Sequence, residues 1–145
     1  MLIQTKDLGA VEIPEDTVVQ FPKGVYGFEE CRRFVLLDTG SPSGVMHLQC
    51  VDSPTPRFIV LDPFALVEDY APRVPQEALR ALGAESVEQL SIFSITVEPQ
   101  NFRAATANLK SPVAINFEKR LGMQVILDYR EYTVRFPLFA QERTE

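Results

Sequence analysis

The apolar residues of this chain come in short runs that proline and glycine keep interrupting. Phe34–Leu37 and Phe58–Leu61 are four-residue apolar runs, long enough for a buried strand and too short for a helix. Leu2–Lys6 and Ala10–Ile13 flank Asp7-Leu8-Gly9, a turn-like segment. Thr17–Phe21 is β-branched and apolar and stops at Pro22. Val45–Val51 alternates, with Val45, His47, Gln49 and Val51 on one face and Met46, Leu48 and Cys50 on the other. Leu90–Val97, Ala104–Asn108, Val113–Phe117 and Met123–Leu127 read as further strands, with Lys119–Gly122 as a hairpin loop between the last two. Asp38–Gly44 and Asp52–Pro56 have loop composition. Tyr129–Phe139 is aromatic-rich and runs into a polar tail.

One stretch carries helical signals. Residues 75–83 begin with Pro75, hold Glu77 in the first turn, and end with Arg80 and Gly83. Ala78, Leu79 and Leu82 recur at helical spacing, and so short a helix must pack on something larger. A second single turn is expected around Glu29–Arg32. Parallel sheets need crossover connections of helix length, and this chain has only one such helix. The expected fold is mainly β with one short helix: a small antiparallel β-barrel-like single domain or a tight sandwich. With 145 residues the chain has the length of one domain, read as residues 1–138 followed by a polar tail, 139–145.

Composition narrows the function. No run approaches the roughly 18 apolar residues of a membrane helix. No basic segment followed by an apolar one marks a secretory signal at the N-terminus. An intracellular location is expected. Net charge is −6, which disfavours direct binding to nucleic acid. The charge is uneven. Residues 1–30 carry Lys6 and Lys23 against Asp7, Glu12, Glu15, Asp16, Glu29 and Glu30. Residues 58–90 carry Arg73 and Arg80 against Asp62, Glu68, Asp69, Glu77, Glu85 and Glu88. From Phe102 onward the chain is mildly basic. Such asymmetry fits a face that meets a basic partner, or an acidic surface that serves only solubility.

Catalytic patterns are missing. His47 is the only histidine, and strand parity puts it on the opposite face from Cys50. Cys31 and Cys50 read as two small, half-buried apolar residues in a reducing compartment. The sequence holds no CxxC, HExxH, EF-hand loop, phosphate loop or G-x-S-x-G elbow. No enzyme activity, cofactor or metal is therefore expected. The competing reading is a small β-barrel enzyme using Cys31 or Cys50 with His47.

What remains is binding. Three segments look over-specified for packing alone. FPKGVYGFEE, residues 21–30, sets Tyr26 and Phe28 around Gly27, ahead of Glu29 and Glu30. FIVLDPFALVEDYAP, residues 58–72, ends a strand at Asp62-Pro63 and then presents Phe64, Leu66, Val67 and Tyr70 without clear periodicity. TANLKSPVAINFEKRLGMQVIL, residues 106–127, places Asn108 and Asn116 in or beside strands, where asparagine is disfavoured. Each has a plainer alternative. These are a structural turn, a loop over one barrel end, and turn or bulge chemistry.

Taken in order, these segments resemble the flagellar assembly factor FliW family over roughly residues 1–138. FPKGVYGFEE, FVLLD, LQCVDSP, FIVLDPF, DYAP, ANLKSPVAINFEKRLGMQVILD and the closing YTVRFPL carry the likeness. One departure stands out. The family pattern leads one to expect histidine before the last proline of the closing stretch, where this chain has Phe136. The resemblance implies a small, non-enzymatic cytoplasmic factor with a barrel-like fold. It further implies two partners: the basic RNA-binding regulator CsrA and flagellin. In that scheme flagellin holds the factor until export, and the freed factor then takes CsrA off the flagellin message without competing at the RNA site. An acidic face from the acid-rich segments 1–30 and 58–90 would suit CsrA, and Tyr26, Phe28, Glu29, Glu30 and Asp62 are partner-binding candidates. The apolar Phe64, Leu66 and Tyr70 would suit flagellin, with Asn108 and Asn116 as hydrogen-bonding candidates. A dedicated flagellin export chaperone without regulator binding is the alternative in the same cellular setting.

Overall fold

The computed structural model describes residues 1–41, 44–97, 104–127 and 132–139. Strands dominate, and the short apolar runs fall where the period-2 pattern places them. β1 (Leu2–Gln4) and β2 (Ala10–Glu12) form an antiparallel hairpin. A 3₁₀ turn at Glu15–Thr17 leads into β3 (Val19–Gln20). β4 (Arg33–Asp38), β5 (Met46–Cys50), β6 (Arg57–Leu61) and β7 (Ser91–Val97) follow, each antiparallel to the one before. β8 (Thr106–Ala107), β9 (Val113–Asn116), β10 (Leu121–Gln124) and β11 (Phe136–Pro137) complete the series.

The sheet closes on itself. β9 pairs with β7 through Ser91↔Ile115, Ile92↔Ala114 and Phe93↔Val113. The resulting ring is β7-β6-β5-β4-β3-β10-β9, a seven-stranded barrel. Closure removes the free edges that an open sheet of short strands would expose. β8 and β11 extend the sheet sideways from the far end of β7. One pairing is parallel, Gln20 of β3 beside Leu121 of β10. The expected all-antiparallel pattern is otherwise borne out.

Three apolar clusters explain why several strands read as continuous apolar runs. The barrel interior holds Val19, Phe21, Phe34, Leu48, Val60, Phe93, Val113 and Ile115. The outer faces of β4 and the end of β5 are covered by the β1–β2 hairpin, through Ile3, Ile13, Val18, Val35 and Val51. Strands covered on both faces lose the polar half of their alternation. A third cluster sits outside β7 and β9, where Ala78, Leu79 and Leu82 meet Ile92, Ala114, Leu109 and Leu127.

The predicted helix is α2, Gln76–Ala81. Gly83, at φ +68°, lets the chain turn back so that the Ala84 N–H donates to the Leu79 carbonyl at 2.9 Å. The expectation of a single helix is corrected: α1, Pro63–Leu66, is a second one. Its cause is local, for the Asp62 carboxylate accepts from the Phe64 N–H at 2.9 Å and Pro63 takes a first-turn position. Four residues are too few to show a period. The helical turn expected at Glu29–Arg32 does not form; a single hydrogen-bonded turn stands there instead, closed by the Cys31 N–H donating to the Phe28 carbonyl at 3.2 Å.

The hairpin loop expected at Lys119–Gly122 is also displaced. Leu121 and Gly122 lie within β10, and the turn ends at Arg120 with φ 56°. Gly122 is in the strand because Phe21 requires it. A Cβ there would lie 2.6 Å from two carbons of the Phe21 ring. Of the aromatic segment 129–139, residues 129–131 lie outside the described residues, as do 140–145 of the expected tail.

Because Phe21 is fully buried in the barrel, it has little room to retreat. Gly122→Ala should cost about 1–3 kcal/mol through overpacking. Urea unfolding should show a lower midpoint with an unchanged slope, and Phe21→Leu in the same chain should recover part of the loss.

Candidate partner-binding surface

Residues 21–32 leave β3 and return into β4 as a self-bonded loop. The Phe21 N–H donates to the Arg32 carbonyl at 2.7 Å and closes its base. Inside it, the Gly24 N–H donates to the Phe21 carbonyl at 2.9 Å and the Phe28 N–H to the Val25 carbonyl at 2.7 Å. Gly24 has φ +66°, and a Cβ would lie 2.7 Å from the Glu29 backbone. Only glycine allows this crossing of the loop over itself. Arg32, which sequence reasoning did not single out, stitches the loop from outside. Its guanidinium donates to the Glu29 and Pro22 carbonyls at 2.9 and 2.6 Å. Gln124 anchors it from β10, accepting from the Tyr26 N–H at 3.1 Å and donating to the Ser111 carbonyl at 3.0 Å.

The loop presents its aromatics outward. Tyr26 is 56% exposed and Phe28 46% exposed, and Glu29 and Glu30 are exposed beside them. Phe28 is braced from below by an aromatic chain into the core, edge-on to Phe58 at 5.1 Å, then Phe34, then Phe21. Glu29 is partly spent, for its carboxylate accepts from the Gly27 N–H at 3.1 Å. Glu30 carries no such structural duty among the described contacts.

Two grooves flank this loop. One, of about 610 Å³, lies between Gly27–Cys31 and Cys50, Asp52, Ser53, Thr55 and Pro56. Its rim carries Glu29, Glu30 and Asp52, and Phe28 lines it. Asp52 is hydrogen-bonded to the Arg33 guanidinium, which holds its carboxyl below the ordinary carboxylate range. The other groove, of about 260 Å³, sets Tyr26 and Lys23 against Glu77, Ala78 and Ala81 of α2, with Ile126 at its edge. Tyr26 and Phe28 thus face different grooves.

The second predicted segment is elsewhere and is less exposed than expected. Phe64 is 44% exposed and Leu66 half-buried. Tyr70 is only 4% exposed. Its hydroxyl donates to the Leu109 carbonyl at 2.7 Å, and burial pushes its pKa up. Tyr70 therefore supports Phe64, edge-on at 5.4 Å, and is not itself a contact surface. Asp62 serves as the cap of α1. Neither groove beside the 21–32 loop is lined by residues of this segment.

The two asparagines follow the plainer reading. The Asn108 carbonyl oxygen accepts from the Lys110 and Ser111 N–H groups at 3.1 and 2.8 Å, an Asx turn. Asn116 is buried, donates to the Leu82 carbonyl at 2.8 Å and ties β9 to the end of α2. Both side chains are hydrogen-bonded within the fold.

The reading of Cys31 and Cys50 as separate reduced residues is corrected. They form a disulfide, with Cα atoms 6.3 Å apart. The two are 19 residues apart in sequence, and no local signal announces the pairing. The thiols of a cysteine–histidine dyad are thereby committed to each other. His47 lies on the other face of β5, 4.0 Å from the Asp7 carboxylate, which accepts from Arg57 at 2.5 Å. Among the described residues no group of histidine, cysteine, aspartate and glutamate could hold a metal. No helix among them is long and apolar enough to cross a membrane.

The Asp7–Arg57–His47 cluster joins the β1–β2 hairpin to the barrel and gives it a pH dependence. Burial, then the Arg57 charge, holds His47 below its ordinary value of 6.5. The unfolded chain then takes up a proton that the folded chain resists, so stability falls as pH drops below 6.5. The Arg57 hydrogen bond holds Asp7 below its ordinary 3.8, so its contribution is complete above that pH and is lost as pH falls through the depressed value. Urea titrations from pH 7 down to 3 should show His47→Gln flattening the upper part of the slope and Asp7→Asn the lower part.

Comparisons with known proteins agree with the geometry. The FliW protein family model matches residues 2–138. The flagellar assembly factor FliW of Symbiobacterium thermophilum is 44% identical over 125 residues, covering 86% of this chain and 91% of the relative. That of Natranaerobius thermophilus is 35% identical over 146 residues, covering 100% of this chain and 97% of the relative. A crystal structure of the flagellar assembly factor FliW superposes with a TM-score of 0.88 at 34% identity, covering 96% of this chain and 97% of that one. Match length, identity and superposition all point the same way: this chain belongs to the FliW family.

Proposed function

We propose that this flagellar assembly factor binds the RNA-binding regulator CsrA and relieves its repression of flagellin translation, with flagellin as the competing partner. Residues 1–138 act as one unit and 139–145 as a polar tail. The protein works in the cytoplasm, without catalysis, cofactor or direct contact to nucleic acid. The observation that carries the reading is the exposed Phe28 beside Glu29 and Glu30, on the rim of a groove in a chain of net charge −6. A braced aromatic next to exposed carboxylates suits a basic partner. The ring supplies desolvated area, and the charges supply steering and selectivity. Negative charge brought beside CsrA would also discourage RNA from staying on the complex.

Flagellin needs a different kind of contact. Phe64 and Leu66 offer apolar surface on the other segment, held in place by Tyr70. The alternative, an export chaperone that binds flagellin alone, rests on that surface without the acidic loop.

Calorimetric titration of this protein into CsrA, free and preloaded with flagellin leader RNA, tests the proposal. Binding with release of RNA is the expected result. Absence of binding to CsrA with flagellin binding intact would leave the chaperone. Affinity for CsrA should fall about tenfold between low and high salt, since exposed charges are screened. Glu30→Lys should weaken CsrA binding by a similar factor while leaving the unfolding midpoint within experimental error of the parent. Phe64→Ala should weaken flagellin binding only.

A further inference from the structure

The Cys31–Cys50 disulfide lies in the floor of the larger groove and joins its two walls. Cys31 ends the loop that carries Phe28, Glu29 and Glu30. Cys50 begins the turn that carries Asp52, Ser53 and Thr55, and its N–H donates to the Pro56 carbonyl at 3.0 Å. Both cysteines line the groove, and they are 7% and 2% exposed overall. The reduced state also has a place to go. The Cys31 sulfur lies 3.3 Å from the Arg33 carbonyl oxygen, an acceptor that a thiol would use.

We infer that Cys31 and Cys50 are a reversible thiol–disulfide modification site that sets the width and rigidity of this groove. The co-reactant is a dithiol. Its thiolate attacks the sulfur of Cys31, the more exposed of the two residues, the Cys50 sulfur leaves with the electron pair and takes a proton, and the second thiol of the reductant releases Cys31. The reductant ends as a disulfide and the protein as two thiols, a balanced two-electron exchange. Oxidised, the two walls are tied. Reduced, the 25–31 wall loses that tie and keeps its own turns, the Arg32 and Gln124 contacts and the packing of Phe28 on Phe58. That the groove receives a partner rests on the proposed function; the chemistry at the cysteines does not.

The test therefore uses the full chain with no partner present. The protein is equilibrated with glutathione disulfide or with dithiothreitol, alkylated while folded, and weighed intact. The oxidised sample should take up no alkyl group and the reduced one should be labelled at both cysteines. Amide exchange of residues 24–31 should be about threefold or more faster in the reduced sample, with β7 and β9 unchanged. The Cys31→Ala/Cys50→Ala variant should exchange at the reduced rate in both buffers. Labelling of both cysteines under oxidising conditions would overturn the inference. So would exchange of 24–31 that is the same in both states of the parent chain.

Discussion

Everything in this protein hangs on the pairing of β7 with β9. That pairing turns a row of short strands into a ring and encloses an interior. Phe21, Phe34 and Leu48 are among the side chains that fill it, and the missing side chain of Gly122 leaves room for Phe21. Once the ring is closed, the segments between strands have nowhere to go but outward. The candidate binding loop is one of them. Its two ends are fixed by β3 and β4, neighbours in the ring, so its base is narrow and its tip is presented.

The loop shows how a candidate binding surface is held in place without a helix or regular strand of its own. Backbone turns, one arginine, one glutamine from β10 and a disulfide hold it, and Phe28 rests on a line of aromatics that ends in the core. Rigid presentation matters for association, because an already ordered aromatic loses little entropy on binding. The acidic side chains need less ordering, since steering acts before contact. The family contains this architecture over nearly the whole chain, and the solved relative superposes on it closely.

How legible was this in the sequence? The strands at 34–37, 45–51 and 58–61 were plain, because alternation and run length depend only on neighbours in the chain. Strand parity also placed His47 and Cys50 correctly on opposite faces of β5. The four-residue helix α1 was not seen, although Asp62-Pro63 is a capping signal, since one turn has no period to detect. Asn108 and Asn116 looked like candidates for recognition because asparagine is unusual in strands. The structure spends both on turns and a strand–helix tie. Tyr70 looked like exposed aromatic surface, and its partner, the Leu109 carbonyl, lies 39 residues away. No local pattern carries such information.

The sequence by itself determined that this would be a mainly β chain of short strands. It also determined that glycine and proline would set its turns, and that acidic side chains would gather in residues 1–30 and 58–90. Those are properties of local sterics and composition. Only the tertiary structure decided which strands neighbour one another, that β3 and β10 run parallel, that Cys31 meets Cys50, and that Phe28 and Tyr26 face separate grooves. The reason is closure. Ring pairing is a long-range choice made by side-chain volumes meeting in a confined interior, and no window along the chain contains both members of such a meeting.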